Sequence, residues 1–82
     1  MFEMQFDRFH KGEKVKIIFG LLEGFEATIY LTPTDLKAKG YKDKKLYAVL
    51  LGIKGYGHDC GGMVKTGNGW FVTESSLEHA GE

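Results

Sequence analysis

The amino-acid sequence predicts a mostly β fold, a small, partly open barrel with one short helix inserted between the second and third strands. Three observations support this: segments of alternating apolar and polar residues, glycines at the turns between them, and one helix-start signal. The chain has 82 residues, the size of one domain, so residues 1–82 are expected to form a single domain.

Residues 13–19 and 26–31 are predicted to form the first two strands. Val15, Ile17 and Phe19 share one face of the first segment, and we expect that face to point inward. The second segment alternates in the same way. The turn between them begins and ends with glycine, which tolerates positive φ, so the two strands are expected to pair as a hairpin.

The helix is predicted over residues 33–39. Thr32 is suited to cap its N-terminus, Pro33 to occupy its first position and Gly40 to end it. Residues 46–53 are apolar on both faces, which is typical of a central strand that is covered on both sides.

The C-terminal half begins with seven glycines between residues 52 and 69, too many for a regular element, so a long loop is predicted there. Residues 70–73 are predicted to be the last strand, and residues 74–78 one helical or 3₁₀ turn. At the N-terminus, Phe2, Met4 and Phe6 fit an extended segment packed on the barrel, although helical spacing fits equally well. The expected core is Val15, Ile17, Ile29, Val49, Leu51 and Val72.

The hairpin resembles a known motif. Residues 12–29 carry glycine and aliphatic residues where the KOW motif of transcription-elongation and ribosomal proteins places them, at Gly12, Val15, Ile17, Gly20, Gly24 and Ile29. That resemblance implies an SH3-like barrel and raises nucleic-acid binding as one function. Residues 57–62, 67–72 and 76–78 resemble short uncharacterised bacteriophage proteins with SH3-like ends, and that likeness implies no particular activity.

Composition limits the classes of function. The chain carries 11 basic and 11 acidic residues, whereas nucleic-acid-binding domains are more often basic overall. Seven lysines and two aspartates nevertheless give residues 37–65 a charge of +5. With one cysteine, no secretory signal pattern and no apolar run of about 18 residues, a cytoplasmic protein outside the membrane is expected.

Reactive side chains cluster at one place, His58-Asp59-Cys60. Nucleophilic catalysis needs an activated thiolate, a base within hydrogen-bond distance and a cleft, and sequence adjacency provides none of them. The best zinc ligand set, His58, Cys60 and His79 with Asp59 or His10, lacks paired cysteines. We therefore predict no enzyme, no metal and no cofactor, and a turn in which Asp59 caps backbone amides and Cys60 packs as a small apolar side chain.

Aromatic side chains in or beside loops are the better functional signal, because amphipathic rings anchor many binding surfaces. The first hypothesis is a protein-interaction module, in which barrel loops and one sheet edge dock on a partner, as a small phage protein would on a host factor. The alternative is a KOW-type RNA- or DNA-binding module that uses residues 37–45 for phosphates. The candidate binding residues are Phe25, Tyr41, Tyr56, Trp70, Lys42, Lys44 and Lys45.

The lysine-rich segment and the glycine-rich loop are attached to opposite ends of the predicted central strand. We therefore expect these two segments to lie apart and to form no continuous groove.

Overall fold

The computed structural model describes residues 7–41, 45–53 and 55–80. They form β1 (Lys14–Ile17), β2 (Glu26–Leu31), α1 (Pro33–Ala38), β3 (Leu46–Leu51), β4 (Gly69–Thr73), a short 3₁₀ helix (Glu74–Ser76) and β5 (Leu77–His79). The mostly β fold with one short helix between the second and third strands is confirmed. The predicted N-terminal segment, residues 1–6, lies outside the described residues.

All five strands belong to one antiparallel sheet with the order β4-β3-β2-β1-β5. The two edge strands, β4 and β5, are consecutive in the chain and are joined only by the 3₁₀ helix Glu74–Ser76. Because so short a connection cannot span a flat sheet of five strands about 4.8 Å apart, the sheet must curl until its edges approach each other. The sheet is therefore a partly open barrel, with a gap between β4 and the region of β1 and β5.

The two faces of β3 contribute to two separate cores. Tyr47, Val49 and Leu51 belong to the interior of the barrel, and the intervening Ala48 belongs to a second cluster against α1 and the glycine-rich loop. This arrangement confirms that the third strand is central and covered on both sides. All six residues predicted for the core are buried: Val15, Ile17, Ile29, Val49, Leu51 and Val72.

The start and end of α1 follow from residues within and next to the helix. The Thr32 hydroxyl accepts a hydrogen bond from the Asp35 amide, and the Asp35 carboxylate accepts one from the Thr32 amide, so the two residues form a capping box. The helix ends at Ala38, one residue before the predicted end, and Gly40 follows with a φ of +97°. That conformation is the one that glycine adopts at low cost after a helix.

Several predicted boundaries are wrong, and one strand was missed. β1 ends at Ile17 rather than at residue 19, because the last hairpin hydrogen bonds join Ile17 to Phe25 and to Gly24. β3 ends at Leu51 rather than at residue 53. The predicted turn over residues 74–78 is a 3₁₀ helix only as far as Ser76, after which Leu77–His79 pair with β1 as β5.

Candidate functional site

The loop between β1 and β2 exposes most of its apolar side chains. This segment, residues 18–25, is called the apolar loop. Phe19 is 73% exposed and Leu21 is 78% exposed. The next residue, Leu22, is buried in the barrel interior. Folding would normally remove such side chains from water, at a gain of about 1.5 to 3 kcal/mol for each fully buried residue. The prediction that Phe19 faces the core is therefore wrong, because the strand ends before it.

Hydrogen bonds hold the apolar loop in a defined shape. The Gly24 amide donates to the Ile17 carbonyl at 2.7 Å, and the Phe25 amide donates to the Leu22 carbonyl at 3.0 Å. Gly20 and Gly24 have φ angles of +97° and +98°, as the prediction of a glycine-bounded turn requires. The exposed side chains of Phe19 and Leu21 are thus presented by a bonded turn anchored by Leu22.

A groove of about 250 Å³ lies between the apolar loop and β4. It occupies the gap of the partly open barrel. No charged side chain lines it among the described residues, and its polar side-chain groups are the hydroxyls of Thr73 and Ser76 and the indole N–H of Trp70. The residues that line it are Ile17, Phe19, Gly20, Leu21, Leu22, Trp70, Phe71, Val72, Thr73 and Ser76.

Five rings follow the edge strand β4 and are here called the aromatic row: Tyr56, Trp70, His58, Phe71 and Tyr41. Trp70 packs on the barrel interior, whereas Phe71 and Tyr41 pack on the second cluster, so the row includes side chains from both faces of the sheet at this edge. The Tyr56 ring stacks on Trp70 with centroids 5.8 Å apart and planes 17° apart. The His58 ring lies 5.3 Å from Trp70 and 5.8 Å from Phe71, and Tyr41 lies 5.6 Å from Phe71. Trp70 and Phe71 therefore belong to both the aromatic row and the groove.

The structure brings three of the four predicted aromatic site residues together, since Tyr41, Tyr56 and Trp70 all lie in the aromatic row. Phe25 is separate from them and 42% exposed on the apolar loop. Lys45 is exposed and lies 4.0 Å from a Glu74 carboxylate oxygen, and it has an unusual φ of +59°. Lys42 and Lys44 fall outside the described residues.

The glycine-rich loop follows β3, and its residues 55–68, here called the packed loop, fold back over the outer face of the sheet. A β-carbon on Gly61 would lie 3.2 Å from the Tyr41 hydroxyl, so this loop meets the start of the lysine-rich segment. Tyr41 of the lysine-rich segment therefore lies against this loop, although the two segments are attached at opposite ends of β3. Burial of Cys60 and Val64 against Ala48 and Leu36 holds the loop on this side of the sheet. The expectation that the two segments lie apart also concerns residues 42–44, which lie outside the described residues.

The His58-Asp59-Cys60 turn is held by a different acceptor from the one predicted. The Cys60 amide donates to His58 Nδ1 at 3.0 Å, and the Asp59 backbone carbonyl accepts from Gly62 and Val64. The His58 imidazole and the Asp59 backbone carbonyl therefore accept the hydrogen bonds that were expected to go to the Asp59 carboxylate. Cys60 is buried, as predicted, and burial, with a smaller contribution from Asp59, raises the pKa of its thiol.

Other titratable groups support the frame rather than the two surfaces. The His10 amide donates to Glu13 at 2.9 Å, and this bond, assisted by His79, lowers the Glu13 pKa. The buried Tyr47 hydroxyl accepts from the Phe9 amide and donates to Glu74. Burial raises the pKa of Tyr47 to about 12. Among the described residues, no three histidine, cysteine or carboxylate side chains meet in a way that could hold a metal ion.

Sequence reasoning missed four residues of these surfaces: Phe19, Leu21, His58 and Phe71. A signal existed for the first two, because five of the eight residues between Ile18 and Phe25 are apolar, which is unusual for a turn. No sequence signal places His58 beside Trp70, because that contact depends on the path of the packed loop.

Comparison of the chain with models of protein families, with curated proteins and with solved structures gave no match. In the part of the chain that the structure describes, no helix has the length and apolar character needed to cross a membrane. Function is therefore inferred from the geometry of the molecule.

Proposed function

We propose that this protein is a non-enzymatic protein-interaction module that binds its partner through the apolar loop and the adjoining groove. The observation that carries this proposal is the exposure of Phe19 and Leu21 on a hydrogen-bonded turn. A rigid turn presents these side chains with less loss of conformational entropy than a flexible loop would. Contiguous exposed apolar side chains beside a groove are typical of protein-binding surfaces.

The charges around the apolar loop favour a protein over a nucleic acid or an anionic membrane. The loop itself carries Glu23, Glu26 at the start of β2 lies opposite Lys16 in the hairpin register, and the groove has no charged lining among the described residues. The loop and the groove thus contain no basic side chain among the described residues, whereas stable binding to phosphates or anionic lipid head groups normally requires several.

A KOW-type module that binds RNA or DNA is the second candidate, and the aromatic row favours it. Stacked rings bind the faces of unpaired bases, and Tyr41, which belongs to the lysine-rich sequence 37–45, is part of this row. Binding of this kind would weaken steeply with salt. We rank it second because Lys45 is already close to Glu74 and because the most exposed apolar side chains lie elsewhere.

We also propose that the chain is related to the SH3-like, KOW-type barrels and works in the cytoplasm as a small phage protein that binds a host factor. The hairpin that carries the resemblance is formed by β1 and β2, which supports the relation. A chain that acts by docking on a larger factor needs a binding surface rather than a reaction centre.

Affinity capture from a bacterial lysate, with and without nuclease, tests the proposed function. We expect the wild-type protein to retain a protein partner after nuclease treatment, and the double substitution F19S/L21S to lose it. The matched control is Tyr56→Ser. Tyr56 is an aromatic residue of the aromatic row and is 39% exposed, and this variant should retain the partner. Loss of capture after nuclease, with F19S/L21S behaving as wild type, would instead establish the nucleic-acid candidate.

A further inference from the structure

The hydrogen-bonding pattern of β4 shows which of its backbone groups point away from the sheet. The Leu51 amide donates to the Asn68 carbonyl, and the Glu74 amide donates to the Lys45 carbonyl. In an antiparallel pair, residues alternate between bonding to the neighbouring strand and pointing away from it. The even-numbered residues of β4 therefore bond to β3, and Gly69, Phe71 and Thr73 direct their amides outward.

One of these outward positions already pairs with another segment. His58 and Gly69 exchange both backbone hydrogen bonds, at 3.0 Å and 2.7 Å, as an isolated antiparallel bridge. The chain then turns away at Cys60, whose φ is +51°. The bridge shows that this edge can accept a further strand, and no group among the described residues is bonded to the amide or carbonyl of Phe71 or to the amide of Thr73.

The groove runs beside the same stretch of backbone. Trp70 and Val72 line it from β4, and Phe19 and Leu21 line it from the apolar loop. A strand added at the edge would alternate its side chains between the two faces, so every second one would point into the groove. Because no charged side chain lines the groove among the described residues, apolar side chains are the ones it would accept.

We propose that the partner contributes an extended peptide segment, apolar at alternate positions, which pairs with Phe71 and Thr73 and inserts an apolar side chain into the groove. This inference rests on the proposed function and adds the conformation and chemistry of the partner. The segment is short, because pairing is limited on one side by the His58 bridge and on the other by the 3₁₀ helix.

Thr73→Pro tests the pairing because it removes one outward amide without disturbing the strand. Thr73 has a φ of −82° and a ψ of 156°, near the values that proline requires, and its amide does not face β3. Thr73→Ala is the matched control, since it also removes the side-chain hydroxyl but keeps the amide. The probe is a set of peptides selected on the wild-type protein from a phage-displayed library of random linear sequences.

Binding can be followed through the fluorescence of Trp70, the only tryptophan in the chain. We expect selected peptides to be apolar at alternate positions and to shift Trp70 emission. Thr73→Pro should weaken binding about tenfold more than Thr73→Ala does, because only proline removes the backbone hydrogen bond. A second measurement leaves the protein unaltered: N-methylation of the peptide should block binding at alternate positions and be tolerated between them.

The outcomes separate this inference from the proposed function. If F19S/L21S abolishes peptide binding but Thr73→Pro and every N-methylated peptide bind normally, strand addition is overturned while the protein-binding loop stands. Failure to select any peptide overturns the inference, as does preferential binding of single-stranded RNA. Self-association in sedimentation that Thr73→Pro abolishes assigns the edge to a second copy of this chain and overturns the inference of a separate partner.

Discussion

The apolar loop and the packed loop contain similar kinds of residues but place them oppositely. Both combine glycines with apolar side chains. The packed loop buries Cys60 and Val64 completely in the second core, whereas the apolar loop buries Leu22 and exposes Phe19 and Leu21. Glycine content therefore does not identify the candidate binding loop here. The loop with more glycines supports the fold, and the loop with exposed apolar side chains is the better candidate for binding.

We expect the largest effect on stability from replacing a glycine with alanine, and the loss should differ between the two loops. Gly57 in the packed loop and Gly20 in the apolar loop both have positive φ, at +116° and +97°. A β-carbon on Gly57 would lie 2.8 Å from backbone atoms of Asn68, whereas one on Gly20 would meet nothing within 4 Å. We expect Gly20→Ala to lower the free energy of unfolding by about 1 to 2 kcal/mol, from conformation alone.

Gly57→Ala should cost at least about 2 kcal/mol more than Gly20→Ala, because the backbone must also move. Urea denaturation of both variants measures the difference. Equal losses in the two variants would show that the packed loop is not a structural element.

A side-chain truncation in each loop gives the next largest effect. Val64 is buried, so Val64→Ala should lower the free energy of unfolding by about 1 to 3 kcal/mol through lost burial and a residual cavity. Leu21→Ala should change it by less than about 0.5 kcal/mol, because the side chain is already in water. Thermal denaturation of the two variants checks this, and a large loss for Leu21→Ala would mean that the apolar loop packs on something within the chain.

Much of the fold could be predicted from the sequence because its signals are local. Alternation defines β2, which extends over the predicted residues 26–31, and the Thr32 capping signal defines the start of α1. β5 could not be predicted, because three residues with one buried side chain, Leu77, become a strand only by pairing with β1.

The candidate surfaces were harder to predict than the fold. Alternation continues through Phe19, but the hairpin hydrogen bonds stop at Ile17, so the pattern extends past the strand that it indicates. The sequence indicates Tyr41, Tyr56 and Trp70 separately, each by its position in or beside a loop. Tyr56 meets Trp70 because the packed loop folds back to β4, and Tyr41 meets Phe71 because the segment after α1 packs on the same strand. Both are tertiary contacts with no local signature.

A third prediction compares the two surfaces as binding sites. Phe25→Ala should weaken binding to a captured protein partner by about 1 to 3 kcal/mol, as expected for an anchor residue. Tyr56→Ala should have little effect if the apolar loop is the site.

Replacing Lys42, Lys44 and Lys45 with glutamine should mainly slow association and reduce its salt dependence. Surface plasmon resonance at two salt concentrations measures all three, and a dominant effect of the lysine variant would favour a nucleic-acid partner.

The smallest expected effect is the loss of folding stability at low pH. We expect residues of neither loop to contribute to it. The pKa values of Glu13 and Asp35 are lowered in the folded state, chiefly by hydrogen bonds from the amides of His10 and Thr32. Their stabilisation is therefore present above the pKa values of the unfolded chain and is lost as the pH falls through the folded ones. We expect the melting temperature to fall modestly on acidification, and Asp35→Asn to reduce that dependence. F19S/L21S should follow the wild-type profile.

Site-specific photocrosslinking tests the central claim, that the apolar loop is the protein-binding surface. A photoreactive phenylalanine analogue is placed at position 19 in one preparation and at position 56, in the aromatic row, in another. Both are irradiated in a nuclease-treated lysate. If the apolar loop binds the partner, we expect a discrete protein adduct from position 19 and none from position 56. An adduct from position 56 alone would contradict the central claim.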